Sequence, residues 1–243
     1  MSKLVLITGG TRGIGEACVR EFAKNGYDII LNFVKSEELA NSLKNELEKK
    51  YGINVYPYRA DLSEDFEIKG LVKYVDENFE QLDCLVNNAG IAIDKEFEDR
   101  NPEDFRKTFD INLIAPFYLS QQLGNKMFKQ GFGSIVNVSS TNGILDCFPT
   151  SIDYDASKAA LINLTHNLAR QFSPYVRVNA VAPGWVNTDM NKDLTDEFKK
   201  NEADAILLKR FAYPSEIANV IYFLASDNSS FINSEVVKVD GGY

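Results

Sequence analysis

The sequence predicts an α/β protein in which helices cover both faces of a doubly wound, parallel sheet of seven strands. Short apolar or β-branched runs alternate along the chain with longer segments of helical periodicity, as in βαβ units. No internal repeat, low-complexity tract or linker interrupts that alternation. The 243 residues, 44% of them hydrophobic, suit one large domain with a sizeable core. We therefore expect a single domain over residues 1–243.

The elements follow in order. The predicted strands are seven short runs: KLVLIT, YDIILNF, NVYPYRA, LDCLVN, GSIVNVS, VRVNAVA and VVKVD. Helical periodicity marks six main helices, in residues 15–26, 36–52, 66–79, 102–130, 154–172 and 214–225. The segments 141–153 and 184–213 are less regular, and the second carries polar helical pieces. We expect these two segments to be functional lids, and solvated loops are the alternative.

Composition narrows the function classes. A net charge of -9 and an isoelectric point near 4.8 argue against nucleic acid as the main partner, although a local basic patch stays open. The three cysteines lack metal-ligand spacing and are odd in number, so no zinc site or disulfide framework is expected, and a reducing cytoplasm fits. No apolar run approaches the ~20 residues of a membrane span. The chain is expected to be cytoplasmic, soluble and unprocessed.

The stretch TGGTRGIG follows the first predicted strand and opens the first helix. Gly9, Gly13 and Gly15 have the spacing G-x-x-x-G-x-G, which allows a tight turn and close approach of a pyrophosphate. The free N–H groups and positive end of the helix favour the same anion. A plain tight turn is the alternative, and a P-loop is disfavoured because no Gly-Lys-Ser/Thr follows. The turn indicates a Rossmann-like dinucleotide site.

The end of the second strand bears on which dinucleotide binds. Phe33 occupies the place where an acidic residue would hold the ribose hydroxyls of NAD, and Asp28 is at the wrong end of the strand. Arg12 and Lys35 offer cations, with Asn32 beside them. A 2'-phosphate suits this set, so NADPH or NADP is expected and NAD less so. Ordinary surface cations are the alternative.

Tyr154 and Lys158, in YDASK, are four residues apart on a predicted helix and so share one face. A tyrosine with a pKa near 10 needs a cation to act as an acid at neutral pH. One positive charge at about 4 Å and an effective dielectric of ~20 is worth roughly 4 kcal/mol, or about three pKa units before desolvation. The pair would make Tyr154 a general acid, although such spacing often arises by chance.

Five motifs occur in order along the chain: TGGTRGIG, NNAG at 87–90, NVSS ending at Ser140, YDASK, and PGWVNTDM from Pro183. Together they resemble those of the short-chain dehydrogenase/reductase family, and the resemblance extends to the terminal VDGGY. It implies an oxidoreductase acting on C=O or CH–OH groups. The loop between Ser140 and Tyr154 is one residue longer than is usual in the family, so Thr141 is the alternative to Ser140.

The resemblance also implies roles for individual residues. Tyr154 would protonate the carbonyl oxygen, Ser140 would hydrogen-bond it, Lys158 would lower the pKa of Tyr154 and hold the ribose, and Asn112 would anchor a proton-relay water. No metal ligand is implied. The implied cofactor-binding residues are Gly9, Thr11, Arg12, Gly13, Ile14, Gly15, Asn32, Phe33, Asp61, Leu62, Asn88, Ala89, Gly90, Tyr154, Lys158, Val186 and Thr188.

Within the family the pattern looks most like the 3-oxoacyl-acyl-carrier-protein reductases of fatty-acid synthesis, with a carrier-linked or small-molecule carbonyl as substrate. A dehydrogenase of sugars, polyols or other small ketones is the alternative, and a non-catalytic nucleotide sensor a remote one. The resemblance implies a homotetramer that pairs through the two long helices and the last strand. An acidic carrier would need a basic patch at the active-site mouth, for which Lys126 and Lys129 are the first candidates and Arg100, Arg106 and Lys107 the next; ordinary solvated helix charges are the alternative.

Overall fold

The computed structural model describes residues 2–144, 146–192 and 194–243. Its seven strands form one sheet in the order β3-β2-β1-β4-β5-β6-β7, and every neighbouring pair is parallel. The chain starts at the centre, winds out to β3, and returns across β1 to build the other half. The strands are β1 Leu4–Ile7, β2 Asp28–Phe33, β3 Val55–Arg59, β4 Cys84–Asn87, β5 Gly133–Val138, β6 Val176–Pro183 and β7 Val236–Val239. The predicted doubly wound, seven-stranded sheet is confirmed.

Helices cover both faces of the sheet. The α-helices among the described residues are α1 Gly13–Lys24, α2 Glu37–Tyr51, α3 Asp65–Asn78, α4 Pro102–Phe109, α5 Ala115–Gln130, α6 Ile152–Phe172, α7 Asp196–Ala205 and α8 Pro214–Ala225. Alternation along β1 divides the core: Val5 and Ile7 pack under α1, α2 and α8, whereas Leu4 and Leu6 pack under α3, α5 and α6. Both faces of the strands are buried, which explains their nearly continuous apolar runs.

The segment predicted as one helix from Pro102 to Gln130 is divided. A π-helical turn at Asp110–Ile114 separates α4 from α5, and in it the N–H of Ala115 donates to the carbonyl of Asp110. Pro116 lies in the first turn of α5 and has no N–H, so it cannot donate to the carbonyl of Asn112 as an α-helix would require. The break therefore leaves the carbonyl of Asn112 without its usual donor.

The irregular segment 184–213 contains the short helix α7, the polar helical piece that the sequence indicated. Cys18 and Cys84 are buried and Cys147 is exposed. Within the described ranges, no three His, Cys, Asp or Glu side chains gather into a group able to hold a metal ion. None of the described helices combines the length and hydrophobicity that crossing a membrane requires.

Candidate active site

A cavity of about 830 Å³ opens at the carboxyl ends of the strands, at the point where the strand order reverses between β1 and β4. In open α/β sheets this is where ligands bind. Its lining includes Ser140, Tyr154, Lys158 and all the other residues implied for the cofactor: Gly9, Thr11, Arg12, Gly13, Ile14, Gly15, Asn32, Phe33, Asp61, Leu62, Asn88, Ala89, Gly90, Val186 and Thr188. Asn112 is the one residue of the predicted set that does not line it.

The glycine turn is held by the neighbouring strand end. Gly9 has a φ of +64°, and a Cβ on Gly15 would lie 2.1 Å from the carbonyl oxygen of Gly9, so neither position accepts a side chain. The side-chain amide of Asn88 donates to the carbonyl of Thr8 at 2.9 Å. The Thr8 hydroxyl in turn accepts from the backbone N–H groups of Asn88 and Ala89. These bonds keep the first N–H groups of α1, which have no partner within the helix, directed at the cavity.

Two cations line the cavity near the end of β2, Arg12 from the residue before α1 and Lys35 from the loop after β2. Arg12 is exposed and its Nη2 donates to Ser36 Oγ at 2.6 Å, while Lys35 lines the cavity beside them. Ser36, which the sequence analysis missed, directly precedes α2, a position typical of a helix cap. Phe33 is buried at the expected carboxylate position. Asp28 lies at the start of β2 and accepts from Asn54, far from the site.

Asn32 has a structural role. Its side chain is buried, donates to the carbonyl of Ala60 at 3.0 Å and accepts from the N–H of Gly9 at 3.3 Å. These bonds connect the ends of β2 and β3 to the glycine turn, so its amide is engaged by the protein. Asp61, beside it, accepts from the N–H and hydroxyl of Ser63, and the backbone hydrogen bond is the main cause that lowers the pKa of the Asp61 carboxyl.

Ser140, Tyr154 and Lys158 meet on one wall of the cavity. A side-chain hydrogen bond with Ser140 is among the causes that act on the pKa of Tyr154, which favours Ser140 over Thr141, and the role of Ser140 stays a prediction. The Lys158 Nζ donates to the carbonyl of Val138 at 2.8 Å and lies 5.4 Å from the ring centroid of Tyr154. Both side chains come from the first turns of α6, four residues apart.

Burial controls the protonation of this pair. Desolvation is the largest cause that raises the pKa of Tyr154 to about 12, while the hydrogen bond with Ser140 acts in the opposite direction. Desolvation also lowers the pKa of Lys158 to about 8. The net shift of the Tyr154 pKa is upward because burial outweighs the hydrogen bond with Ser140, and the expected lowering of that pKa by Lys158 stays a prediction. Tyr154 holds its proton at neutral pH.

Asn112 holds the loop that follows β4. Its amide oxygen accepts from the N–H of Ile91, and its amide nitrogen donates to the carbonyl of Ile91 and to the hydroxyl of Ser157. The side chain is fully buried. A Cβ on Gly90 would lie 3.2 Å from Asn112 Oδ1 and 3.3 Å from Lys158 Nζ, so this glycine allows the loop to pass close to the lysine. The side chain of Asn112 is thus engaged by protein groups.

Aromatic residues that the sequence analysis missed form the far end of the cavity. Trp185 lines it together with Phe148 and Phe198, whose ring centroids are 5.8 and 5.5 Å from that of Trp185, and the buried Phe211 stacks on Trp185 from outside the cavity. Glu202 of α7 accepts from the indole N–H of Trp185 at 2.8 Å and from the hydroxyl of Tyr243. The position of Trp185 two residues after the end of β6 was the available signal, whereas its partners are distant in sequence.

Two of the lysines expected at the cavity mouth lie elsewhere. Lys126 and Lys129 are near the C-terminal end of α5, which leads into the beginning of β5, whereas the cavity lies at the end of that strand. Six residues of strand separate the two edges by about 20 Å. Arg100 is buried in an ion pair with Asp153 and is unavailable to a partner. Arg106 and Lys107 are exposed on α4.

Comparison with known proteins agrees with this geometry. A family model described as Enoyl-(Acyl carrier protein) reductase matches residues 9–243. The chain is 36% identical over 243 residues to the 3-oxoacyl-[acyl-carrier-protein] reductase FabG of Staphylococcus aureus strain Mu50, an alignment that covers 100% of this chain and 98% of that protein.

Two solved structures share the fold throughout. ElxO with NADP bound has a TM-score of 0.91 and 32% identity, with coverage of 100% of this chain and 99% of that one. The acetoin dehydrogenase YohF of Salmonella typhimurium has a TM-score of 0.90 and 30% identity, with coverage of 100% and 96%. Matches of this extent, together with the motif order and the site, establish the family. The chain belongs to the short-chain dehydrogenase/reductase family.

Proposed function

We propose that the protein is an NADPH-dependent reductase of 3-oxoacyl thioesters carried on acyl carrier protein, with residues 1–243 as one catalytic domain. The observation that carries this proposal is the meeting of Ser140, Tyr154 and Lys158 between a dinucleotide-shaped cleft and an aromatic pocket. The 3-oxoacyl-[acyl-carrier-protein] reductase relative, similar over the full chain, supports the substrate class.

The residues present fit NADPH. The N-terminus of α1 faces the cavity through Gly13, Ile14 and Gly15, which leaves room and N–H donors for a pyrophosphate. Arg12 and Lys35 supply positive charge beside Ser36, where a 2'-phosphate would be recognised. The similar ElxO structure contains NADP, which supports the same choice. When bound, NADPH supplies the hydride.

The chain's own residues handle the proton. Tyr154 is protonated at neutral pH and donates its phenolic proton to the substrate oxygen, which becomes the alcohol. Ser140 donates a hydrogen bond to the same oxygen and stabilises the charge that develops on it. Lys158 is charged below a pKa of about 8, and its ammonium opposes the negative charge left on Tyr154 until solvent returns a proton.

The experiment that tests the proposal is NADPH oxidation with a panel of acetoacetyl thioesters, diketones and sugars. Reduction of acetoacetyl thioesters with the highest kcat/KM in the panel is the expected result. The YohF similarity favours a second candidate, a dehydrogenase of small hydroxyketones and related alcohols. Preferred turnover of a diketone or a sugar would select that candidate.

Arg12 is predicted to control cofactor preference. Arg12→Ala removes a charge-assisted contact to the 2'-phosphate worth roughly 1.5 to 3 kcal/mol, so the NADPH/NADH ratio of kcat/KM should fall about 10- to 150-fold. Phe33→Asp places a carboxylate at the end of β2 and should shift the preference toward NADH. Arg20→Ala, on the outer side of α1 and paired with Glu46, is the control. Equal efficiency of the unmodified protein with both cofactors would contradict the assignment.

A carrier protein would contact the mouth through α4 in this proposal. Asp94, Asp146 and Asp189 line the cavity, so an acidic partner needs cations close by. Thr108, at the end of α4, donates to Asp153, the residue before Tyr154, so α4 packs against the start of α6 next to a residue that lines the cavity. The adjacent Lys107 is exposed and replaces Lys129 as the residue we expect to contact the carrier.

Charge reversal at Lys107 tests this contact. Lys107→Glu should lower kcat/KM for acetoacetyl-carrier protein about three- to tenfold at low salt, the effect of a surface charge interaction near 1 kcal/mol. The same variant should reduce an acetoacetyl group on a small thiol normally. Lys129→Glu, at the opposite edge of the sheet, is the matched control. A carrier substrate no better than the small thioester would remove the carrier from the proposal and leave the reductase.

We also propose a homotetramer. Ile114, Phe117 and Phe128 are exposed along α5 and its start, and Phe128 packs edge-on against the half-exposed Tyr175. β7 is an edge strand, and Phe231 near it is fully exposed. The apolar surface of α5 and the edge strand β7 could each form one of the two-fold interfaces that a homotetramer requires. Light scattering should give about four times the 27.3 kDa chain mass, and a concentration-independent monomer would refute the assembly.

For location we propose the cytoplasm. The buried thiols of Cys18 and Cys84 are unpaired with each other or with any other cysteine, as is usual in a reducing compartment.

A further inference from the structure

A chain of polar side chains leads from α6 to the proposed catalytic serine. The carboxylate of Asp155, next to Tyr154, accepts from the side-chain amide of Asn142 at 2.7 Å. The hydroxyl of Ser140 donates to Asn142 Oδ1 at 3.2 Å, and the backbone N–H of Asn142 donates back to Ser140 Oγ at 3.2 Å. Asp155, Asn142 and Ser140 thus form one connected series beside the reacting group.

The chemistry of the three groups fixes the direction of these bonds. An ionised carboxylate only accepts hydrogen bonds, so Asn142 must turn its NH₂ group toward Asp155. Its amide oxygen then faces Ser140 and accepts the single hydroxyl hydrogen of Ser140 while Tyr154 is protonated; the Ser140 bond that lowers the Tyr154 pKa is made to the phenolate. The orientation of the Asn142 amide is therefore determined by Asp155.

We propose that Asn142 and Asp155 are positioning residues that hold the Ser140 hydroxyl ready for the substrate. This inference rests on the proposed carbonyl reduction. The backbone N–H of Asn142 fixes the Ser140 oxygen, while the O–H rotates from the Asn142 oxygen to the incoming carbonyl oxygen. One acceptor replaces another, so Ser140 makes its catalytic hydrogen bond without moving its oxygen.

Asp155 also holds the loop that carries Phe148, so a substitution at Asn142 is easier to interpret than one at Asp155. The other oxygen of Asp155 accepts from the backbone N–H of Phe148 at 2.9 Å, and the first oxygen also accepts from the hydroxyl of Ser151. Loss of this carboxylate would therefore also disturb the loop that carries Phe148 against Trp185. Asn142, by contrast, connects only Asp155 and Ser140 through its side chain.

A double-mutant cycle distinguishes positioning from a structural role. Asn142→Ala should lower kcat about five- to tenfold, the effect of one lost hydrogen bond, and leave the KM for NADPH within twofold. In a Ser140→Ala background the same change should have no further effect on kcat, because the group it positions is gone. An equal loss of kcat in both backgrounds would overturn the inference.

Exchange of the two side chains provides a rescue. Asp155→Asn alone should lower kcat, because the amide of Asn142 can then turn its NH₂ toward Ser140. Adding Asn142→Asp restores a carboxylate that accepts from Ser140, and kcat should return to within threefold of the unmodified protein. Asp65→Asn on the outer surface of α3 is the charge control.

The experiments distinguish failure of the positioning role from failure of the proposed reductase function. A double exchange no more active than Asp155→Asn would count against the positioning role while the reductase stands. An unmodified protein that reduces no ketone would remove the proposed function, and this inference with it.

Discussion

Tyr154→Phe should lower the turnover of ketone reduction by about 10²- to 10⁴-fold, the range for loss of a positioned proton donor. The ring stays against Lys158, 5.4 Å from its Nζ, and the glycine turn is untouched. NADPH should therefore bind with nearly unchanged Kd, which fluorescence titration measures. The split between kcat and Kd would assign Tyr154 to the chemical step.

Tyr51→Phe is a matched control, because it also removes one phenolic hydroxyl. Tyr51 is the last residue of α2 and does not line the cavity. Its turnover should equal that of the unmodified protein. Turnover near the original level in Tyr154→Phe would refute the mechanism.

Arg100→Met should cost about 3 to 5 kcal/mol of unfolding free energy, because it leaves the carboxylate of Asp153 buried without a positive charge beside it. The two groups are 2.6 Å apart, with side-chain exposures of 3% for Arg100 and 0% for Asp153. Arg100 also donates to the carbonyls of Ile93, Lys95 and Thr150, so it joins the two loops that flank Tyr154. Thermal unfolding should shift down by roughly 6 to 20 °C.

Two variants isolate the buried charge as the cause. Adding Asp153→Asn to Arg100→Met should recover most of the lost stability, because the lone carboxylate becomes neutral. Arg106→Met breaks the exposed pair with Glu103 nearby and should cost less than about 1 kcal/mol. A single Arg100 variant as stable as the Arg106 variant would contradict the prediction.

Local patterns were sufficient to predict the sheet and most of the helices. Apolar runs of four to eight residues mark buried parallel strands, and all seven occur where the sequence places them. The π-helical turn at 110–114 was not predicted. A proline such as Pro116 can either begin a helix or interrupt one, and the sequence pattern alone does not distinguish the two. Hydrophobic periodicity reports the spacing of side chains along a helix, but it does not report which carbonyl accepts each backbone N–H.

Some residues of the candidate site could be predicted from local sequence patterns, and others could not. Short sequence motifs located the residues whose partners are close along the chain, namely Gly9 with Gly15 and Tyr154 with Lys158. By contrast, Lys129 is only a few residues before β5 in sequence, yet it lies a full strand length from the cavity. Direction along a parallel strand separates the two edges, and only the assembled sheet shows which edge binds ligand.

The sequence by itself determined the fold class, the glycine turn and the spacing of Tyr154 and Lys158, because each is marked by patterns that span only a few residues. Only the tertiary structure decided the protonation of that pair, since desolvation depends on everything packed around it. It alone also brought Arg100 to Asp153, and Trp185 and Tyr243 to Glu202. These contacts join residues 17 to 53 positions apart, and no local pattern records them.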